Sequence, residues 1–239
     1  MNKEELSRLA MVIGEDNTEK LGECRVAVFG VGGVGGYICE ALVRSGIGHI
    51  DIFDNDVVSP SNLNRQIIAL HSTIGKKKVE VMKERLLDIN PELDIHTHDV
   101  FYSAENADCF PLSAYDYIAD AIDSVPSKLE LIKRATELVV PIISSMGTGN
   151  KLDPSRLEID DISKTEYCPL AKTVRTSLRY MGIKHLTVVL SKEEPIKTGV
   201  RTPGSTAFVP GSAGLLIASR IIRDLSEKNA FSPLTSKEK

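Results

Sequence analysis

The apolar positions come in short runs separated by glycine-rich or helix-spaced segments. Residues 25–29 (RVAVF) form an apolar run behind one arginine and stop at Gly30, which predicts a buried strand. The next segment, GVGGVGGYICEALVRSGIG, predicts a glycine turn opening a helix that stops at Gly46. Residues 49–54 (HIDIFD) predict a second strand. Val79, Met82, Leu86 and Ile89 recur at three- and four-residue spacing, which predicts a helix over 75–89 with Pro91 just beyond it. Residues 93–100 (LDIHTHDV) alternate as a strand does, 115–122 (YDYIADAI) predict a fourth strand, 128–138 a helix and 141–145 (PIISS) a fifth strand.

Strands alternating with helices imply an α/β fold: a Rossmann-like, doubly wound, mostly parallel sheet. Beyond Gly149 the pattern loosens. LEIDDI predicts a strand, residues 169–180 a basic helix, HLTVVLS another strand, KEEPIKTGVRTPGST a turn-rich loop, and 211–225 a last helix. With no repeat, low-complexity tract or linker, these C-terminal strands and helices are expected to complete a mixed sheet in the same domain. The expectation is one domain over 1–239: an N-terminal helical arm (1–24), a nucleotide-binding core (25–150) and a C-terminal completion and substrate region (151–239).

Composition narrows the class. At 239 residues, with 42% hydrophobic and 26% charged content, the chain has the make-up of one large globular domain. Charges interrupt residues 1–23, so no signal-peptide stretch is expected, and no run approaches the length of a membrane span. Cys24, Cys39, Cys109 and Cys168 are scattered with no C-x-x-C pair, which argues against a zinc site or redox dithiol and for the cytoplasm. The net charge of −4 is uneven: residues 1–150 hold 14 cationic against 23 anionic side chains, and all the basic excess lies C-terminal to them. Such an excess is read either as a solvated face or as a surface for a polyanion.

Gly30, Gly32 and Gly35 make G-x-G-x-x-G between a predicted strand and a predicted helix, with Gly33 and Gly36 adding freedom. That context suits a nucleotide phosphate, because glycines let backbone approach phosphate oxygens at the positive end of the helix. Asp54, ending the second strand, is placed to hold ribose hydroxyls. An NAD-dependent oxidoreductase would carry the same features, and on this motif alone both readings stay open. The rest of the chain separates them. Asp56, Asn62, Arg65 and Gln66 follow the ribose position closely, and Lys78 comes on the next helix. Two cations near a mononucleotide phosphate suit attack at the α-phosphate of ATP, where negative charge builds on the departing pyrophosphate. Asp120 and Asp123 end the fourth strand, and Asp123 is placed to hold Mg²⁺ on the triphosphate.

In this order and spacing, GVGGVGG, D-x-D-x-V-x-x-S-N-L-N-R-Q, G-K-x-K and D-x-x-D-S resemble the ThiF, MoeB and HesA adenylating family, relatives of the ubiquitin-activating enzymes. The resemblance covers roughly residues 8–225. It implies that Gly33 contacts phosphate, Asp54 binds ribose, Asn62, Arg65 and Lys78 hold the triphosphate, and Asp123 serves the metal. Gly30, Gly32, Gly35, Asp56, Gln66 and Ser124 complete the expected nucleotide set. It also implies a homodimer in which Arg8 reaches the partner's ATP. Within the family the chain is similar to the branch that dehydrates threonylcarbamoyladenosine in tRNA, on the strength of DAIDSVPSKLELI, DISKTEYCPLAKTVRTSLRYMGI, SKEEP and FVPGSAGLLIAS.

Two departures matter. The zinc cysteine pairs of the wider family are absent, and no cysteine follows Cys168, so the usual thioester or persulfide cysteine is missing. Cys168 itself stands where the branch tends to have Asp and is not read as a nucleophile. Adenylation of a small sulfur-carrier protein remains the alternative, and a sulfur-transfer or carrier protein is a further candidate partner. A tRNA substrate would dock on the C-terminal basic region. Lys172, Arg175 and Arg179, three and four residues apart, share one helix face, with Lys164 beside them and Lys192, Lys197 and Arg201 on the following loop.

Overall fold

The structure is a computed structural model and describes residues 1–200 and 202–226. In chain order its main elements are α1 (Ser7–Ile13), α2 (Glu15–Glu23), β1 (Arg25–Phe29), α3 (Gly35–Arg44), β2 (His49–Phe53), α4 (Lys78–Ile89), β3 (Asp94–His98) and β4 (Tyr117–Asp120). There follow α5 (Val125–Glu137), β5 (Ile142–Ser145), β6 (Leu157–Asp161), α6 (Pro169–Tyr180), β7 (Thr187–Ser191) and α7 (Phe208–Ser226). The seven strands form one sheet in the order β3-β2-β1-β4-β5-β7-β6. All neighbours are parallel except β6 and β7, which pair antiparallel, so the C-terminal strands extend the same sheet and make it mixed.

Burial follows position in the sheet. β1 and β4 lie inside and are almost wholly buried, whereas edge strand β3 buries only Ile95. Helices α3, α4 and α7 cover one face with Ile38, Leu42, Met82, Leu86, Ile217 and Ile221. On the other face α5 and α6 pack through Ile132, Ala171, Val174 and Leu178. Helix α7 crosses α3 closely: a Cβ on Gly214 would lie 2.4 Å from the Val34 carbonyl oxygen. A helix-interior glycine costs about 0.5–1 kcal/mol relative to alanine, and here no larger residue fits.

Several boundaries differ from those the periodicity predicts. The helix expected from residue 75 starts at Lys78, because Gly75 has φ +86° and Lys77 stays extended, bridging Val57. Helix α5 begins at Val125, three residues before the expectation, since Pro126 sits in its first turn, where the missing N–H has no helical partner to lose. Helix α7 starts at Phe208 for the same reason, with Pro210 in its first turn. The arm is two helices broken at Gly14, φ +88°. Among the described residues no helix is long and apolar enough to cross a membrane.

Candidate functional site

The strand order reverses between β1 and β4, and at that switch point a cavity of about 570 Å³ opens at the carboxyl ends of the strands. Gly30, Gly32 and Gly33 after β1 line it, with Asp54 and Asp56 after β2, Phe101 and Tyr102 after β3, Asp123 after β4 and Thr148 after β5. Asn62, Arg65, Gln66 and Lys78 close one side, and Ser205 and Pro210 reach it from the C-terminal third.

The glycines divide into two kinds. A Cβ on Gly35 would stand 1.7 Å from the Gly30 carbonyl oxygen, and one on Gly30 would stand 2.7 Å from that of Ala121, at φ +90°. These two are required by packing. At Gly32 and Gly33 a Cβ would meet nothing closer than 3.8 and 3.4 Å, so their openness faces the cavity and leaves a cradle that a Cβ would fill. Asp54 fixes the loop, its Oδ2 accepting from the Val31 amide at 2.7 Å and its Oδ1 from the Asp56 amide at 2.9 Å.

The two cations are held differently. Arg65 donates through Nη1 to the Ser61 carbonyl (2.8 Å) and to Asn64 Oδ1 (2.9 Å), both neutral, so its charge stays uncompensated by them. Lys78 is buried, 5% exposed, although it is the first residue of α4. Its Nζ lies 2.7 Å from Asp56 Oδ2 and 3.8 Å from Asp54 Oδ2, because the extended Lys77 turns it inward under the β2 loop. Asn62 is buried, and its Oδ1 accepts from the Ser59 amide at 3.0 Å, which leaves its amide NH₂ to the cavity side. Gln66 is buried with its Oε1 unpartnered among the described residues.

Other predicted residues lie elsewhere. Gly35 is buried behind the loop, and Ser124, the residue before α5, does not line the cavity; Ser127, one turn on, does. Arg8 is exposed on α1, at the amino ends of β2 and β3, where Leu6, Ser7 and Ala10 share a cleft with Gly46, Gly48, His49 and Asp94. The predicted basic face is only partly available. Lys172 and Arg179 are exposed, but Arg175 is half-buried and donates to the Thr165 carbonyl (2.7 Å) and hydroxyl, and Lys192 pairs with Glu158 at 2.8 Å. Lys164 and Lys197 are exposed; Arg201 lies outside the described residues. Cys168 is buried as the N-cap of α6, its Sγ accepting from the Ala171 amide (3.4 Å) and the Gly147 amide (3.3 Å).

Sequence reasoning missed Phe101, Tyr102, Ser127, Thr148 and Ser205, whose only signal is their place three or four residues past a strand, in a first helical turn or before a last helix. Burial pushes the Tyr102 hydroxyl up to about 12, so it stays protonated. It also missed Lys128, which is wholly buried against Asp120 at 2.7 Å. Among the described residues no three His, Cys, Asp or Glu side chains are arranged to hold a metal ion. A divalent cation carried in by a triphosphate needs no such cage, since it takes one or two carboxylates and keeps phosphate and water for the rest.

Fold and cavity together define a doubly wound α/β domain with a nucleotide crevice at its switch point, lined by open glycines, carboxylates and two cations. The chain belongs to the ThiF family, whose pattern it matches over residues 6–237. It is 43% identical to the tRNA threonylcarbamoyladenosine dehydratase of Bacillus subtilis (strain 168), over 92% of this chain and 94% of that protein. It is 38% identical to the Escherichia coli (strain K12) protein of the same name over 71% of this chain and 63% of that one. The crystal structure of E. coli tRNA N6-threonylcarbamoyladenosine dehydratase in complex with ATP superposes with a TM-score of 0.88 at 32% identity, covering 93% of this chain and 94% of that one.

Proposed function

We propose that this chain adenylates the carboxylate of the threonylcarbamoyl group on a tRNA adenosine next to the anticodon and then closes that group into a ring with net loss of water. The observation that carries the reading is the convergence of the open Gly32–Gly33 cradle, Arg65, Lys78 and Asp123 on one crevice. A carboxylate oxygen attacks the α-phosphorus of ATP, and the bond to pyrophosphate breaks. Arg65 and Lys78 take up the negative charge that grows on the phosphates, while Asp54 orients the ribose and Asn62 donates to phosphate oxygen. Asp123 would hold Mg²⁺, which would neutralise phosphate charge. A nitrogen of the same modification then attacks the acyl carbon, expels AMP and releases its proton to solvent. No cysteine relay is needed, because an intramolecular nucleophile is already at high effective concentration.

Assembly and location belong to the same reading. Helix α1 buries none of its own residues, Met11 and Val12 on it are 85% and 81% exposed, and Arg8 stands across the sheet from its own crevice. The exposed apolar face of α1 supports a homodimer in which Arg8 serves the partner's ATP; on the same proposal the chain acts in the cytoplasm and Lys172 and Arg179 meet tRNA phosphates. The deciding experiment is ATP consumption and AMP release with threonylcarbamoylated tRNA, beside unmodified tRNA and a sulfur-carrier protein. AMP formed with the modified tRNA alone is the expected result; AMP formed with the carrier alone would reverse the assignment.

A further inference from the structure

In the segment Asp120-Ala-Ile-Asp123 two carboxylates three residues apart meet opposite environments: Asp120 is 0% exposed and Asp123 is exposed. Every polar atom around Asp120 is accounted for. Its Oδ1 accepts from the Ile122 amide at 3.1 Å; its Oδ2 accepts from Lys128 Nζ at 2.7 Å and from the Ser144 hydroxyl at 2.6 Å. Lys128, itself 0% exposed, uses its remaining protons on Ser144 Oγ (3.1 Å) and the Ser145 carbonyl (3.2 Å). An ammonium has three donors, and here each meets an acceptor. The pair is therefore neutral as a unit and fully bonded, the condition under which buried charges rigidify a structure.

The network sits directly behind the nucleotide crevice. It joins β4, β5 and the first turns of α5, and Ser127, next to Lys128, lines the cavity. On the other side the loop after β4 is held against the glycine turn. The Ala121 amide donates to the Phe29 carbonyl at 2.8 Å, and the Ala121 carbonyl leaves no room for a Cβ on Gly30. Three residues of backbone thus run from a rigid buried carboxylate, past the glycine loop, to Asp123.

From this we infer that Asp120, Lys128 and Ser144 are positioning residues: they set where Asp123 stands relative to the phosphate cradle, and so how strongly Mg²⁺ couples to ATP binding. The inference rests on the reading of Asp123 as the carboxylate that meets the metal. It gives the two aspartates of one motif different tasks, one holding the loop and the other meeting the ligand.

The test separates stability from positioning. Lys128→Met alone strands a buried carboxylate and lowers the melting temperature. Asp120→Asn combined with Lys128→Met removes both charges with nearly matched shapes, so the melting temperature recovers most of that loss. ATP affinity is then measured by calorimetry with and without Mg²⁺. In the double variant, affinity without Mg²⁺ stays near wild type, while the gain on adding Mg²⁺ falls by about tenfold, since a misplacement of order 1 Å costs up to about 10²-fold in such sites. A double variant with both wild-type stability and a wild-type Mg²⁺ gain would reduce the network to a structural ion pair and overturn the inference. If the double variant does not fold, Ser144→Ala decides. It keeps the charge pair, and its expected effect is a smaller loss of the same gain; an unchanged gain there overturns the inference. Asp123→Asn, run in parallel, distinguishes the two possible failures. A normal Mg²⁺ gain in Asp123→Asn overturns the underlying reading of Asp123, whereas a defective Asp123→Asn beside a normal double variant overturns the positioning role alone.

Discussion

The crevice at the strand ends and the outer face of α6 both carry cations that the sequence singles out, and the fold treats them in opposite ways. Arg65, Lys78 and Asp123 come from three separate segments and converge on one cavity of about 570 Å³. Lys172, Arg175 and Arg179 come from one helix and stay spread along it, about 10 Å from first to last at 1.5 Å per residue. Arg175 is already bonded to Thr165, and the loop cation Lys192 to Glu158. Helical spacing brings side chains onto one face but does not focus them. Convergence requires strand ends, where a parallel sheet delivers every following loop to the same edge.

The sharpest way to break this contrast is to remove single charges from the crevice. Arg65→Ala and Asp123→Ala should each lower AMP release by about 10²–10³-fold, roughly 3–4 kcal/mol of transition-state stabilisation, with thermal unfolding unchanged. Lys78→Ala should lose as much activity and also melt earlier, because Asp54 and Asp56 then face each other without the buried ammonium. Near-normal AMP release by all three would remove the crevice from the chemistry.

A second pair of variants acts on the glycine loop. Gly35→Ala should fail to fold, its Cβ colliding with the Gly30 carbonyl, whereas Gly33→Ala should fold normally and bind ATP about tenfold or more weakly by calorimetry. Equal melting temperatures for the two would contradict the division between packing and cradle glycines.

Smaller effects test what lies outside the crevice. Mixing an Arg8→Ala chain with an Asp123→Ala chain should restore part of the lost AMP release, since each hybrid dimer contains one complete site. Absence of recovery after proven subunit exchange would place Arg8 outside the chemistry. On α6, Lys172→Glu with Arg179→Glu should weaken tRNA binding, lower the slope of log affinity against log salt by roughly 1–2, and spare ATP affinity. Adding Arg175→Glu should mainly lower the melting temperature, because its partner Thr165 is buried. A tRNA affinity indifferent to salt and to all three changes would leave α6 a solvated face.

Much of this was legible in the chain. The alternation and spacing of apolar residues place all seven strands and the larger helices, and the ends of α6 coincide with the basic helix read from residues 169–180. Boundaries failed at the starts of α5 and α7, which begin three residues before the expectation with Pro126 and Pro210 in a first turn that tolerates proline. Most of the crevice residues were found because glycine, acid and cation motifs sit just past predicted strands. Phe101, Tyr102 and Thr148 were not, since a residue after a strand carries no periodic signal of what it faces.

The linear order of residues determines the elements, the doubly wound class and the family, because side-chain period and turn chemistry are local properties of the backbone. Tertiary structure alone decided which of several similar residues is engaged, which is free and which faces the crevice. Asp120 is engaged and Asp123 is not because Lys128 and Ser144 pack against the first; Lys78 is buried because Asp54 and Asp56 fold over it; Ser127 faces the crevice in place of Ser124 because α5 begins at Val125. Each of those outcomes depends on a neighbour supplied by packing, and a charge is free or compensated only according to what the fold has put within about 3 Å of it.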